Sequence, residues 1–367
     1  MKFTFDRDAM LKEIGIAQEI ISTKNALSIL SNVLLSAEQN TLTIKATDLK
    51  VNFETKIPVE VQEGGTTTIF CDKFINILNS LPLGDVEFTK KDIDVVIKPI
   101  TKKVRFQLKS IASDKFPEFS NEQEYNWFDI PVKEFKEMIT QTIFAVSDDE
   151  TRYFMNGIYF EKEEEKIIMV ATDGRRLSYI SKLLDGGNIN FNPCIIPPKI
   201  LNIILKRASS EGSISLSITD KNIYFKFGNY NISSVLIDGQ FPNYKRVIPE
   251  KQEKSFKIDK KDLVEALKRV GLLVEQKSGR VYFSLSDGTL MITSQETEIG
   301  KAKEEIACRY AGEEITMALN YLYVEEPLKV INTDYLNFEF TENMKAITIK
   351  SEPEADFFHI VMPMQME

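Results

Sequence analysis

The chain has 367 residues, a formal net charge of −9, 43% hydrophobic residues and 28% charged ones, the composition of a soluble globular protein of two or three domains. The acidic balance excludes a uniformly basic surface and leaves room for a local basic face. One histidine, His359, and three widely separated cysteines, Cys71, Cys194 and Cys308, exclude multi-histidine and CxxC metal sites and a disulfide framework.

In chain order, residues 2–5 predict a strand and residues 6–21 a helix with Met10, Leu11, Ile14, Ala17 and Ile21 at helical spacing. The N-terminus has no signal-peptide core and no apolar run reaches membrane-spanning length, so a cytoplasmic location is expected. Strands follow at 33–36, through an Ala-Thr-Asp triplet at 46–48, and at 59–62 and 67–70. Asp72 is the expected N-cap of a helix over 73–81 that Pro82 ends. Strands over 94–98 and 103–108 and a Phe116-Pro117 pair close this first stretch, and residues 120–125 read as a linker.

The series then begins again. Residues 131–146 give an amphipathic helix with Val132, Phe135, Met138, Ile139, Ile143 and Val146 on one face. Asp148-Asp149-Glu150 reads as a solvated loop and the charged run 161–166 as a hairpin tip. Residues 166–182 predict strand, turn and strand, with Asp173-Gly174 as the turn. Pro197-Pro198 begin the next helix, and Phe241-Pro242 and a second linker over 248–255 follow. A third round starts at Asp259, an expected N-cap, with Leu263, Leu267, Val270 and Val274 on its apolar face. Its last helix, 321–330, contains Pro327, which predicts a break or kink. His359 sits in an apolar terminal strand and reads as a packed structural residue.

The repeat is explicit. Ala-Thr-Asp stands at 46–48 and again at 171–173, Thr293-Ser294-Gln295 lies at nearly the same interval beyond, and Phe-Pro recurs at 116–117 and 241–242. Equal spacing means similar modules, expected at 1–120, 128–247 and 255–367, each with two helices and antiparallel strands in an α+β fold. Five of the six helices read as net basic on their exposed sides, with the acids on strands and hairpin tips. Such segregation suits a curved surface around a polyanion. The simpler alternative is that exposed lysines aid solubility.

Over its whole length the chain resembles the bacterial DNA polymerase III β-subunit (sliding-clamp) family. The resemblance rests on MKFTF at 1–5, ATDL at 46–49, RYFMNG at 152–157, ATDGRRL at 171–177, DGQFPNYKRV at 238–247 and VMPM at 361–364. It implies three processivity-fold domains per chain with inner helices and outer sheets. A head-to-tail homodimeric ring would encircle duplex DNA without sequence specificity and tether the polymerase III catalytic subunit, the clamp loader and other clamp-binding proteins. It implies no catalysis, no cofactor and no metal.

Carried over by position, the family's DNA contacts are Lys24, Arg152, Tyr153 and Lys199, with Phe154 where relatives often have tyrosine. Its partner-peptide site is Met155, Thr172, Gly174, Arg175, Arg176, Leu177, Pro242, Arg246, Val247, Val361, Met362, Pro363 and Met364, a mixture of adaptable methionines, rigid prolines and cationic donors. Leu177, Val247 and Val361 also read as ordinary core. Relatives often carry His at Arg175, Ser at Ala346 and Arg at Gln365, which bears on peptide preference. A dimer seam is expected between Lys103, Arg105, Phe106 and Leu108 of one module and Leu272, Leu273, Glu298, Glu304 and Glu305 of another. The rival readings are a metal-dependent nuclease or phosphotransferase using Asp148, Asp149 and Asp173, and a passive scaffold without DNA. Asp48 and Asp173 hold the same place in two copies, so a turn role is the simpler reading.

Overall fold

The computed structural model describes residues 1–21, 28–119, 125–184 and 189–366. Among the described residues, six α-helices are distributed two per repeat: α1 Arg7–Ile20, α2 Cys71–Ser80, α3 Val132–Thr142, α4 Pro198–Arg207, α5 Lys260–Gly271 and α6 Tyr321–Val330. The chain divides into two compact units. The first comprises 1–133 and 199–236, and the second 134–198 and 237–367. No helix among the described residues is long and apolar enough to cross a membrane.

The first unit holds two antiparallel sheets. One has five strands in the order Glu60–Glu63, Lys2–Asp6, Asp85–Lys91, Asp94–Pro99 and Phe106–Lys109. The other has eight, and runs Phe128–Pro131, Ser213–Ile218, Asn222–Phe227, Tyr230–Val235, Val51–Pro58, Thr41–Thr47, Asn32–Glu38 and Gly65–Phe70. Alternation explains the packing: Val51, Phe53, Thr55 and Ile57 all turn one way and are buried. The sheet passes from the first repeat to the second where Tyr230–Val235 pairs with Val51–Pro58.

The second unit is built on one twelve-stranded sheet. Its order is Cys194–Ile196, Ile158–Glu163, Lys166–Thr172, Arg176–Leu183, Phe357–Val361, Ile347–Glu352, Tyr335–Phe340, Lys254–Asp259, Lys303–Arg309, Thr289–Ser294, Arg280–Ser286 and Ile315–Asn320. Here the crossing between repeats is the pairing of Arg176–Leu183 with the terminal strand, Leu177 opposite Ile360. His359 in that strand is buried, as expected. Its Nδ1 lies 3.0 Å from Ser178 Oγ, and burial pushes its pKa down to about 3.

Several expectations are corrected. Asp72 is not an N-cap: the strand ending at Phe70 runs straight into α2, and Asp72 falls in the first turn, where its carboxylate still meets the positive helix end. Asp259 does cap α5, accepting from the N–H groups of Lys261 and Asp262. Pro327 does not break α6. Burial of Val324, Pro327 and Leu328 on one stripe offsets the missing hydrogen bond, and the Pro327 carbonyl still accepts from Ile331 N–H at 3.1 Å. The strand expected over 103–108 begins only at Phe106. α3 ends at Thr142, whose hydroxyl donates back to the Met138 carbonyl at 2.7 Å, and a short 3-10 turn Ile143–Ala145 follows.

The run 161–166 is only partly a hairpin tip, since Glu161–Glu163 remain in strand and the turn is at Glu164, with φ of 53°. Nor are five helices net basic. Over the helices as formed, α4 and α5 alone carry a positive excess, through Lys199, Lys206 and Arg207, and through Lys260, Lys261, Lys268 and Arg269. Of the expected first linker, 120–124 lie outside the described residues, while Tyr125 stacks on Tyr224 at 4.2 Å.

Candidate functional site

The repeated triplet folds the same way twice. Asp48 Oδ1 accepts from the N–H groups of Lys50 (2.9 Å) and Val51 (2.7 Å), and Thr47 Oγ1 accepts from Leu49 N–H. Asp173 Oδ1 accepts from Arg175 (2.8 Å) and Arg176 (3.0 Å), and Thr172 Oγ1 from Gly174 N–H. Both turns need a left-handed residue, Leu49 at φ 74° and Gly174 at φ 87°. At Gly174 the positive φ is what favours glycine, since the nearest atom to a Cβ there, Arg152 Nη1 at 2.9 Å, is the end of a side chain that can swing aside. The aspartates are thus turn and ion-pair residues. Among the described residues no cluster of three or more His, Cys, Asp or Glu could hold a metal. Asp149 caps the 3-10 segment Glu150–Met155 and binds Arg152 Nε at 2.8 Å.

All the expected peptide-site residues fall in the second unit, on four segments, Met155 standing at the end of the 3-10 stretch Glu150–Met155. The strand from Arg176 brings Leu177, the segment after Phe241 brings Pro242, Arg246 and Val247, and the C-terminal stretch brings Val361–Met364. The last is fixed by its backbone: Met362 N–H donates to the Arg175 carbonyl at 2.9 Å and Met364 N–H to the Ala318 carbonyl at 2.8 Å. Met155, Leu177 and Val361 are buried, whereas Val247 is 44% and Met362 37% exposed. Of the three residues read as ordinary core, Leu177 and Val361 are core and Val247 is surface. Beneath them lies an apolar cluster of Ile168, Val170, Leu177, Ile195, Phe241, Tyr244 and Ile360, with Ala346 packed against it.

Two features here were not anticipated. Arg176, expected as a free cationic donor, is committed inside the protein. Its Nε binds Asp173 Oδ2 (3.0 Å), Nη2 donates to the Phe144 carbonyl (2.6 Å), Nη1 pairs with Glu326, and the guanidinium faces the Tyr323 ring at 4.7 Å. Arg175 and Arg246 are exposed and remain cations at the surface. The second feature is Glu161. Its carboxylate accepts from Tyr244 Oη (2.5 Å) and Tyr159 Oη (3.2 Å), pinning the segment that carries Pro242 and Val247. Burial and the Glu161 charge push the Tyr159 hydroxyl up to about 12. The acid run in the sequence concealed this role.

Among the expected DNA contacts, Lys24 lies outside the described residues. Arg152 and Tyr153 are half-exposed in the second unit. Lys199, in the first, donates to Asp48 Oδ2 and to the Ile20 carbonyl, each at 2.6 Å. Burial pushes the Asp48 carboxyl up, but Lys199 and the backbone N–H donors outweigh it and hold the group below its ordinary value.

None of the expected seam residues is buried: Lys103, Arg105, Leu272, Glu298 and Glu305 are exposed, and Phe106, Leu108, Leu273 and Glu304 are partly so. Leu272 is 82% and neighbouring Ile299 87% exposed, beside an open hollow of about 530 Å³ lined by Leu272, Leu273, Val274 and Glu298. Strand Lys303–Arg309, carrying Glu304 and Glu305, meets Lys254–Asp259 only through Arg309 and Cys308. Its earlier half therefore has one edge with no strand partner among the described residues. In the first unit, strand Phe106–Lys109 is likewise terminal in its sheet, with Lys103 and Arg105 exposed before it. Glu304 already has an in-chain partner, a two-pronged bond from Arg269 at 2.5 and 2.9 Å.

Comparison with known proteins gives a single result. Three family models match in order: the DNA polymerase III beta subunit N-terminal domain over 1–120, its central domain over 129–243 and its C-terminal domain over 245–365. The Beta sliding clamp of Treponema pallidum (strain Nichols) is 49% identical over 100% of both chains. Among solved structures, the sliding clamp of Pseudomonas aeruginosa bound to griselimycin aligns with a TM-score of 0.94 at 27% identity, covering 100% of both chains. That of Bacillus subtilis aligns with a TM-score of 0.94 at 25% identity, again over 100% of both. The chain belongs to the DNA polymerase III beta subunit family, the bacterial sliding clamps.

Proposed function

We propose that the chain is a DNA sliding clamp: a non-catalytic, cytoplasmic protein that closes as a homodimeric ring around duplex DNA and tethers polymerase III. The observation that carries this reading is the ordered match of all three clamp domains across the whole chain. The proposed domains are 1–120, 128–247 and 255–367. Two copies associate head to tail, Phe106 and Leu108 of one meeting Leu272 and Leu273 of the other, with Lys103 and Arg105 opposite Glu298, Glu304 and Glu305. Open strand edges and the exposed side chain of Leu272 support that pairing.

Lys24, Arg152, Tyr153 and Lys199 contact phosphate and sugar, so binding is independent of sequence. Partners (the polymerase III catalytic subunit, the clamp loader and other proteins with a clamp-binding segment) lay a short peptide over Leu177, Pro242, Val247, Val361 and Met362. Met364 is the adaptable wall, and Arg175 favours a peptide with a nearby acid. Native mass measurement tests the ring: the expected species is twice the 42.0 kDa chain. A monomer at micromolar concentration would contradict it.

A further inference from the structure

The two Thr-Asp turns share more than their backbone. Next to each carboxylate stands one cation, and each cation also takes a carbonyl from the end of its repeat's first helix. In the first repeat the cation is Lys199, bound to Asp48 Oδ2 and to the carbonyl of Ile20, the last residue of α1. In the second it is Arg176, bound to Asp173 Oδ2 and to the carbonyl of Phe144, in the turn that follows α3. A carboxylate and the negative end of a helix make the same demand for positive charge in both places.

The sources of that charge differ. Lys199 belongs to α4, the second helix of the following repeat. Arg176 belongs to its own turn and reaches the second helix of the following repeat, α6, through Glu326 and across the Tyr323 ring. In the third copy the aspartate is replaced by Gln295.

We infer that the Thr-Asp turns of the first and second repeats are latches, each joining its repeat to the second helix of the one that follows, and that Arg176 is a positioning residue of the groove rather than a peptide contact. This rests on the clamp reading for its functional consequence. Arg176 opens the strand that pairs with the terminal strand, Arg176 opposite Val361, and the neighbouring Arg175 carbonyl holds Met362 N–H. Pulling Arg176 towards α6 therefore fixes the spacing between Leu177 and the C-terminal wall. Lys199 is correspondingly a join residue as well as a proposed DNA contact, and it meets the DNA backbone from a side chain already held by Asp48 and Ile20.

Binding of a fluorescein-labelled peptide carrying the clamp-binding segment of a bacterial polymerase III catalytic subunit tests the second latch. E326Q leaves every expected peptide contact in place and removes only the charge behind Arg176. The latch predicts that E326Q and R176Q each weaken binding by about threefold to tenfold, that the double variant is no worse than the weaker single, and that R176K recovers part of the loss. If Arg176 serves as a peptide contact, E326Q frees it, and unchanged or tighter binding of the peptide would overturn the proposal. The first latch is tested by thermal unfolding of D48N, in which the amide oxygen can still accept from Lys50 and Val51. D48N and K199Q should lower Tm non-additively, and additive losses would overturn the latch at that join. Should the parent protein fail to bind the peptide, the groove reading falls. Thermal cycles on both pairs then decide the latch alone.

Discussion

The proposed groove and the proposed seam are both read as surfaces for other chains, yet they are built in opposite ways. At the groove, nearly every group is satisfied within the protein. Leu177 and Val361 are core, the Thr-Asp turn closes its own hydrogen bonds, and only Val247 and Met362 show substantial apolar surface. At the seam, Leu272 and Ile299 stand almost fully exposed, strand Phe106–Lys109 ends its sheet, and the earlier half of Lys303–Arg309 has an open edge among the described residues. A surface complete without its partner suits contacts that form and break. A surface that leaves large hydrophobic side chains and strand edges in water needs a lasting cover.

The largest expected effect follows at the seam. Replacing Leu272 and Leu273 by Ala removes apolar area at roughly 2–5 kcal/mol per leucine buried in the dimer. A head-to-tail dimer has two such seams, so sedimentation should show monomer with an unchanged fold. A dimer surviving both replacements would place the seam elsewhere. A smaller effect is expected at the groove. Removing the residues after Val361 takes away Met362, Pro363 and Met364 but keeps the strand pairing of Val361 with Arg176. Fluorescence titration should show peptide affinity falling at least about tenfold, worth about 1.4 kcal/mol, with the dimer intact. Undiminished affinity would mean the C-terminal wall is not part of the site.

The smallest effect separates the two regions by pH. Arg269 holds the Glu304 carboxyl below its ordinary value. A lowered carboxyl stabilises above its unfolded pKa, and that contribution is lost as pH falls through the lowered value. His359 beneath the groove is pushed down to about 3 by burial and stays neutral through the same range. Once acid protonates Glu304, the proposed seam also loses a carboxylate opposite Lys103 and Arg105, so it should weaken before the groove, read as monomer by sedimentation while peptide binding persists. E304Q should flatten the acid dependence of dimerisation. Peptide binding lost before the dimer would reverse the comparison.

The repeat was legible in the sequence because turn chemistry is local. Ala-Thr-Asp twice predicted one turn twice, and Asp48 and Asp173 make matching bonds. α6 over Tyr321–Val330 was placed to the residue, although the effect of Pro327 was not, because burial around it could not be read from spacing. Asp72 shows a related limit: a good capping residue at the right distance was displaced by a strand that ran directly into the helix. At the site, the exposed members were legible by position. What the sequence could not reveal was commitment. Arg176, Lys199 and Glu161 look like surface charges, yet each is held by partners distant along the chain. The strand exchange that sets Leu177 opposite Ile360 is equally non-local.

The central claim, that the protein acts by encircling DNA, is tested most directly by retention on circular and linear templates. The protein is loaded by a bacterial clamp loader onto a nicked circle and filtered in high salt, where direct phosphate contacts are weak. The account predicts that it stays on the circle and is lost once the circle is cut. Equal loss from both forms, or equal retention on both, would contradict it.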